Sequence, residues 1–165
     1  MADAGRLMLS LPAAIVDAIA AQAAAGYPSE TCGLLFAAVG GTVCSRMLPM
    51  DNLADKLHAA DPAEYPRTSR DYFAMNGAKV ARAVREAEAT GEVWLGIWHS
   101  HIDCGAYFSS EDVRTFAPDG VPTWPDLYQV VVDVRGHRLV EARAFAWDGR
   151  CFAPVATFPM FARSR

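Results

Sequence analysis

Glu92-Val93-Trp94-Leu95-Gly96-Ile97-Trp98-His99-Ser100-His101 is the stretch on which the fold turns. Val93 to Trp98 are apolar in nearly continuous order, as expected for a central strand covered on both faces, and the run then ends in polar residues. Such a strand needs layers on either side, and the flanking sequence supplies them. Upstream, Ser69 offers a cap for a helical pattern in which Phe73, Val80 and Val84 face inward while Arg82, Arg85, Glu86 and Glu88 face solvent, closed by Gly91. Downstream, Asp103 to Phe108 forms a loop around Gly105, and Ser109 opens a short helix whose first turn holds Glu111 and Asp112.

Further out, Cys32 to Val39 and Thr42 to Met50 read as a strand hairpin turned by Gly40-Gly41. Ser10 offers an N-cap to a first helix, with Leu11 and Pro12 in its first turn, Ile15, Val16, Ile19, Ala20 and Ala23 on one face, and Gly26 as the stop. Residues 51–68 hold Asp51-Asn52, Asp61-Pro62 and Tyr65-Pro66 and read as loop. After the turn-rich Pro118 to Asp126 come strands at Leu127 to Val134, at His137 to Trp147 and near Cys151, joined by Arg135-Gly136 and Asp148-Gly149. Mixed strands and helices with terminal hairpins define an α/β (α+β) class, a mixed sheet flanked by helices.

The 165 residues predict one domain spanning 1–165. A chain of this size buries about 70% of the surface it exposes when unfolded, so it needs no structural metal to fold, and a metal it binds is expected to do chemistry. Fifteen Lys plus Arg against nineteen Asp plus Glu, with no basic block, argue against nucleic acid as a partner. No apolar run approaches the ~20 residues of a membrane span. Met8 to Ala25 follows Arg6 and superficially resembles a signal peptide, but Asp17 interrupts it and its apolar residues fall at helical spacing. Cys32, Cys44, Cys104 and Cys151 form no CxxC pair, and a cytoplasmic protein with reduced thiols is expected.

The chemistry sits at the end of the central strand. His99 and His101, two residues apart, point to the same face, about 7 Å apart by strand geometry, and can share one ion. Asp112, on the next helix, can fold back to supply an oxygen. Two imidazoles and one carboxylate leave a fourth tetrahedral position open to water, the arrangement of a catalytic zinc site. Glu30, in Tyr27-Pro28-Ser29-Glu30-Thr31-Cys32-Gly33 at a helix-to-strand junction, is the candidate general base, and Ser109 the candidate donor to a tetrahedral oxyanion.

His99-Ser100-His101, seven residues, Ser109, two residues and Asp112, with Glu30 upstream, is similar to the signature E…H-[ST]-H-x7-S-x2-D of the JAMM (MPN-plus, or Mov34-like) zinc metallopeptidase family. The contexts Glu30-Thr31-Cys32-Gly33-Leu34-Leu35 and Gly96-Ile97-Trp98-His99-Ser100-His101 resemble its prokaryotic members. The resemblance implies an MPN, cytidine-deaminase-like core and one Zn2+ per chain held by His99, His101 and Asp112. It also implies Glu30 as acid/base and Ser109 as oxyanion stabiliser. The implied reaction is hydrolysis of the bond after the C-terminal glycine of a ubiquitin-like or sulfur-carrier protein, by processing, deconjugation or release of a small adduct such as cysteine. E1- or E2-like proteins of the same pathway are further implied partners, and the amphipathic helices allow a homodimer. One departure is Ile102, where the family usually has Pro, which bears on loop shape and substrate fit rather than ligation.

Two other readings use the same residues. A non-catalytic MPN-type binding module would hold any metal structurally. His99-Ser100-His101-Ile102-Asp103-Cys104 also reads H-x-H-x-D, as in metallo-β-lactamase-like hydrolases, but Cys104 stands where those need a further histidine. Ser109-x-x-Asp112 is in addition a helix-capping pattern, and a dual role is expected. Cys104 is expected to be a packed or partly exposed thiol, Phe36, Trp94, Trp98 and Tyr128 core residues, and His58 and His137 surface residues.

Overall fold

In the computed structural model, which describes residues 8–158, the run of apolar residues becomes β4 (Glu92–Ile102), buried from Leu95 to His101. Around it in chain order lie β1 (Met8–Ser10), α1 (Ala13–Gly26), β2 (Cys32–Ala38), β3 (Cys44–Met50), α2 (Ala54–Ala60) and α3 (Gly77–Ala89). After β4 come α4 (Ser110–Phe116), a single 3₁₀ turn (Pro118–Gly120), β5 (Tyr128–Arg135), β6 (Arg138–Trp147) and β7 (Phe152–Phe158). The seven strands form one sheet in the order β1-β7-β6-β5-β4-β2-β3, confirming the mixed α+β class. β4 pairs antiparallel with β2, Cys32 opposite His99, and parallel with β5, His99 opposite Val131.

Burial on both faces explains why β4 lacks clean alternation. One face packs Trp98, Leu35, Tyr128, Val130 and Val132 against Leu9, Leu11, Ile19 and Ala23 of the N-terminal segment and α1. The other packs Ile97, Leu34 and Phe36 against Phe73, Val80, Ala87 and Phe116 from α3, α4 and the segment before α3. Register slips between Leu35 and Phe36, so Leu95 has no partner on β2 and joins the α1 face with Trp98. Beyond the slip the period of two resumes, and His99 and His101 follow Ile97 onto the face of α3 and α4.

Local signals were overridden at several points. Ser10 lies in β1, a short parallel strand beside β7, and α1 begins after Pro12 with no side-chain cap. Three residues are too few for a period to show, and only the partner strand defines β1. Residues 51–68 contain α2, its first residue Ala54 buried and its N–H taken by Asn52 Oδ1 at 3.0 Å. Ser69 caps nothing. It is buried, and α3 starts eight residues later behind Asn76, whose Oδ1 accepts the Lys79 N–H at 3.0 Å. His58 is half-buried rather than a free surface residue, its Nδ1 2.7 Å from the Tyr65 carbonyl oxygen, and Trp94 is only half-buried. His137 is exposed as expected, in a left-handed turn at φ 65°. Cys32 and Cys44 are buried, Cys104 and Cys151 exposed, and all four are free. Among the described residues no helix is long and apolar enough to cross a membrane.

Gly33 on β2 permits close packing near the site. A Cβ there would lie 2.4 Å from Trp98 Nε1 and 2.5 Å from the Leu48 carbonyl oxygen. Gly33→Ala is therefore expected to destabilise the protein by about 1–3 kcal/mol through overpacking. Gly77→Ala, with open space around the added carbon, is expected to be neutral or mildly stabilising at the start of α3. Urea unfolding of the two variants checks this, and equal midpoints would contradict it.

Candidate metal centre

The site is assembled from three places brought to the C-terminal end of β4. The strand supplies His99 and His101, the first turn of α4 supplies Asp112, and the junction between α1 and β2 supplies Glu30. Ser100, between the histidines, points the other way. Its Oγ accepts the Thr31 N–H at 2.7 Å and its N–H donates to the Thr31 carbonyl at 2.9 Å, tying β4 to the residue after Glu30. Glu30 is held from its other side as well: its N–H donates to the Ser69 carbonyl at 2.6 Å, and Asn52 Nδ2 donates to its carbonyl at 2.9 Å. Asn52 also donates to the Tyr72 carbonyl and accepts from the Ala74 N–H, so one side chain fixes the chain on both sides of the cavity.

Strand spacing alone puts the two histidines farther apart than they are, because their rings tilt toward each other. The ring centroids are 5.0 Å apart and the two Nε2 atoms 3.2 Å apart. Asp112 Oδ1 lies 3.2 Å from His99 Nε2, and Oδ2 lies 3.3 Å from His101 Nε2. With one ligand atom taken from each residue, the three lie within 4.8 Å of one another, close enough to share one metal ion.

Protonation supports the same conclusion. His101 Nδ1 is 2.9 Å from the Gly105 carbonyl oxygen, so Nδ1 carries a proton and the ring turns its Nε2 toward the Asp112 carboxylate. Complete burial keeps His99 neutral by lowering its pKa, although the Asp112 charge pulls the other way. Burial opposes ionisation of Asp112, yet the neighbouring imidazoles and the Ser109 N–H, 2.9 Å from Oδ2, hold its pKa well below the carboxylate range. A His99 whose burial favours the neutral ring, beside an Asp112 that stays ionised, suits a divalent metal. His99 lies against the ring of Phe73, with centroids 4.4 Å apart and planes inclined by 23°, and Tyr107 meets the edge of His101.

Ser109 and Asp112 form a full capping box: Ser109 Oγ accepts the Asp112 N–H at 3.0 Å while Asp112 Oδ2 accepts the Ser109 N–H. Ser109 Oγ acts only as an acceptor in the cap, and its own O–H remains available to a ligand. The cavity above the site, about 380 Å³, is bordered by Glu30, Asp71, Glu111 and Asp112 and by Arg67 and Arg70. Arg67 pairs with Asp71 and Glu111 along this border, while Asp112 faces the two histidines.

The structure therefore brings His99, His101, Asp112, Glu30 and Ser109 together around one cavity. Cys104 also borders it, exposed, 4.0 Å from the Tyr107 hydroxyl. Asp103, the alternative ligand of the H-x-H-x-D reading, is in a left-handed turn at φ 56°, accepts from the Tyr27 hydroxyl at 2.7 Å, and is not in the ligand cluster. Sequence reasoning did not find Asn52, Phe73, Arg67 or Arg70, which lie in loop and carry no motif.

Burial, followed by the charges of Asp112 and Asp71, pushes the Glu30 carboxyl up to about 9, with Arg67 opposing. A folded pKa raised above the ordinary 4.5 means that the unfolded chain releases this proton first, so metal-free stability falls as pH rises from about 4.5 to about 9. In chelator, Glu30→Gln is therefore expected to be more stable than the parent by at least ~1 kcal/mol at pH 8 and indistinguishable at pH 4. Urea midpoints at the two pH values check this.

Comparison with known proteins agrees with the site. A family model described as prokaryotic homologs of the JAB domain matches residues 12–148. Proteins named CysO-cysteine peptidase from Mycobacterium tuberculosis and Mycobacterium bovis are 28% identical over 138 residues, covering 84% of this chain and 82% of theirs. Among solved structures, a protein from Desulfitobacterium hafniense superposes with a TM-score of 0.67 at 22% identity, covering 95% of this chain and 94% of that one. A JAB1/MPN domain protein from Archaeoglobus fulgidus superposes at 0.52 and 14% identity, covering 91% of this chain and 96% of the other. The sheet order, the buried histidine pair and the matched span lead to one assignment: the chain belongs to the family of prokaryotic homologs of the JAB domain.

Proposed function

We propose that the protein is a zinc-dependent peptidase that hydrolyses the bond following the C-terminal glycine of a ubiquitin-like or sulfur-carrier protein. The observation that carries the reading is the convergence of His99 Nε2, His101 Nε2 and an Asp112 carboxylate within 3.2–3.3 Å of one another beside a buried glutamate. A peptidase-type role is supported by the family and by relatives named as peptidases, and the carrier substrate by the name those relatives bear.

His99, His101 and Asp112 would hold the zinc, which supplies Lewis acidity to polarise a carbonyl and to bring a water's pKa to about 7. Glu30 takes a proton from the attacking water and delivers it to the departing amine. The water oxygen ends on the glycine carbonyl carbon, and the carbon–nitrogen bond breaks. Burial and neighbouring carboxylates keep Glu30 a weak acid, and positive charge at the triad offsets those carboxylates, so the group can both accept and return the proton. Ser109, whose Oγ already accepts the Asp112 N–H, directs its O–H at the developing oxyanion. An extended tail with glycine at its end fits the reading, because only small residues let the backbone approach the site closely. We place the reaction in a reducing, cytoplasmic compartment, where the four free thiols persist.

Incubation of the zinc-loaded protein with carrier fusions extended beyond a terminal glycine, followed by intact mass, is expected to show cleavage after that glycine. Glu30→Gln should lower the rate by about 10²–10⁴, and Ser109→Ala by about 10²–10³ with ~1 kcal/mol lost from the helix cap. Chelation should abolish hydrolysis while far-UV circular dichroism is unchanged. Unfolding on chelation would instead favour a binding module with a structural metal, and undiminished cleavage by Glu30→Gln would exclude the mechanism.

A further inference from the structure

We infer that Arg70 forms a carboxylate-binding subsite that selects leaving groups carrying a free α-carboxylate, so that the enzyme removes a single C-terminal residue rather than cutting within a chain or at a lysine side chain. This inference rests on the hydrolase reading above and narrows its substrate class.

Two guanidiniums border the cavity, and they are not equivalent. Arg67 is occupied: Nη1 lies 3.1 Å from Asp71 Oδ2 and Nε 3.7 Å from Glu111 Oε2, so its charge is largely spent on the cavity's own carboxylates. Glu111 is further engaged by Arg114 at 2.6 Å. Arg70 is exposed, and its guanidinium has no ion pair or hydrogen bond among the described residues. Of the two guanidiniums, Arg70 is the one that no carboxylate of the described residues already pairs, and its donors remain to be matched by a ligand. A guanidinium presents parallel N–H donors that fit a carboxylate two at a time, a match that neither an amide nor a lysine side chain can make.

The position of Arg70 is fixed relative to the reacting groups. Its neighbour Ser69 is buried, and both its N–H and its hydroxyl donate to Asp55 at 2.8 Å, which holds that carboxyl below its usual range. The Ser69 carbonyl accepts the N–H of Glu30. One residue thus locks the Arg70 loop to α2 on one side and to the proposed acid/base on the other. The cavity, about 380 Å³, lies near the lower end of the range for ligand clefts, which suits a residue or two and not a folded body on the leaving side.

The test compares two carrier fusions ending in Gly-Ala, one a free acid and one a C-terminal amide, with the zinc-loaded protein. The acid is expected to show kcat/KM higher by about tenfold or more, the scale of one charge-assisted bidentate contact. Arg70→Gln should collapse the acid-to-amide ratio to about one, and Arg70→Lys should restore part of it. Calorimetric titration of the Glu30→Gln protein with the matching short peptides should show the same preference in Kd, lost in Glu30→Gln/Arg70→Gln. Equal cleavage of acid and amide by the parent protein, or a ratio unmoved by Arg70→Gln, would overturn the subsite and leave the hydrolase reading intact. No cleavage of either fusion would overturn the hydrolase reading, and the subsite would then stand or fall on whether the calorimetric preference depends on Arg70.

Discussion

Everything at the site depends on one arrangement: His101 Nε2 held against a carboxylate oxygen of Asp112 in a buried place, with His99 Nε2 beside both. Titratable groups crowded together in a buried place cost free energy unless they partner one another or a ligand. The surrounding structure enforces the arrangement from several directions. The Gly105 carbonyl fixes the His101 tautomer, Phe73 sets the His99 ring, and the helix cap aims Asp112. None of these supports is itself a ligand, and each is an ordinary device of packing or hydrogen bonding.

The topology explains why these supports meet at one spot. β4 runs parallel to β5, so a crossover must carry the chain from the C-terminal end of β4 back to the start of β5, and α4 lies in that crossover. Open sheets with parallel strands place their ligands beyond the C-terminal ends of such strands, where the crossover begins. Antiparallel β2 enters from the opposite direction, bringing its first residues alongside His99, and Glu30 is two residues before Cys32, the partner of His99. Glu30, the proposed base, and the candidate ligands are therefore neighbours by sheet register, although nearly seventy residues of chain separate Glu30 from His99.

The central strand and the clustering of His99, His101 and Asp112 were legible in the sequence because they rest on short-range regularities: a period of two, a helix-start pattern and fixed spacings. The walls of the cavity were not. Ser69 carries the local chemistry of a helix cap, yet tertiary bonding to Asp55 and Glu30 takes it over, and the helix begins at Asn76 instead. Asn52 reads as an ordinary turn residue, and its four hydrogen bonds to Glu30, Tyr72, Ala54 and Ala74 are defined only once distant segments have met. α2 and β1 are too short to show a period. Arg67 and Arg70 look identical in sequence, and only the neighbouring carboxylates reveal that one is engaged and the other is not.

The capping box gives the site an asymmetric resistance to mutational drift. Asp112 starts a helix as well as lining the candidate metal centre, so its loss is punished by folding even in a lineage that no longer needs catalysis. Glu30 keeps a buried carboxyl that the fold would be better off without, so a lineage released from selection for hydrolysis gains stability on discarding it.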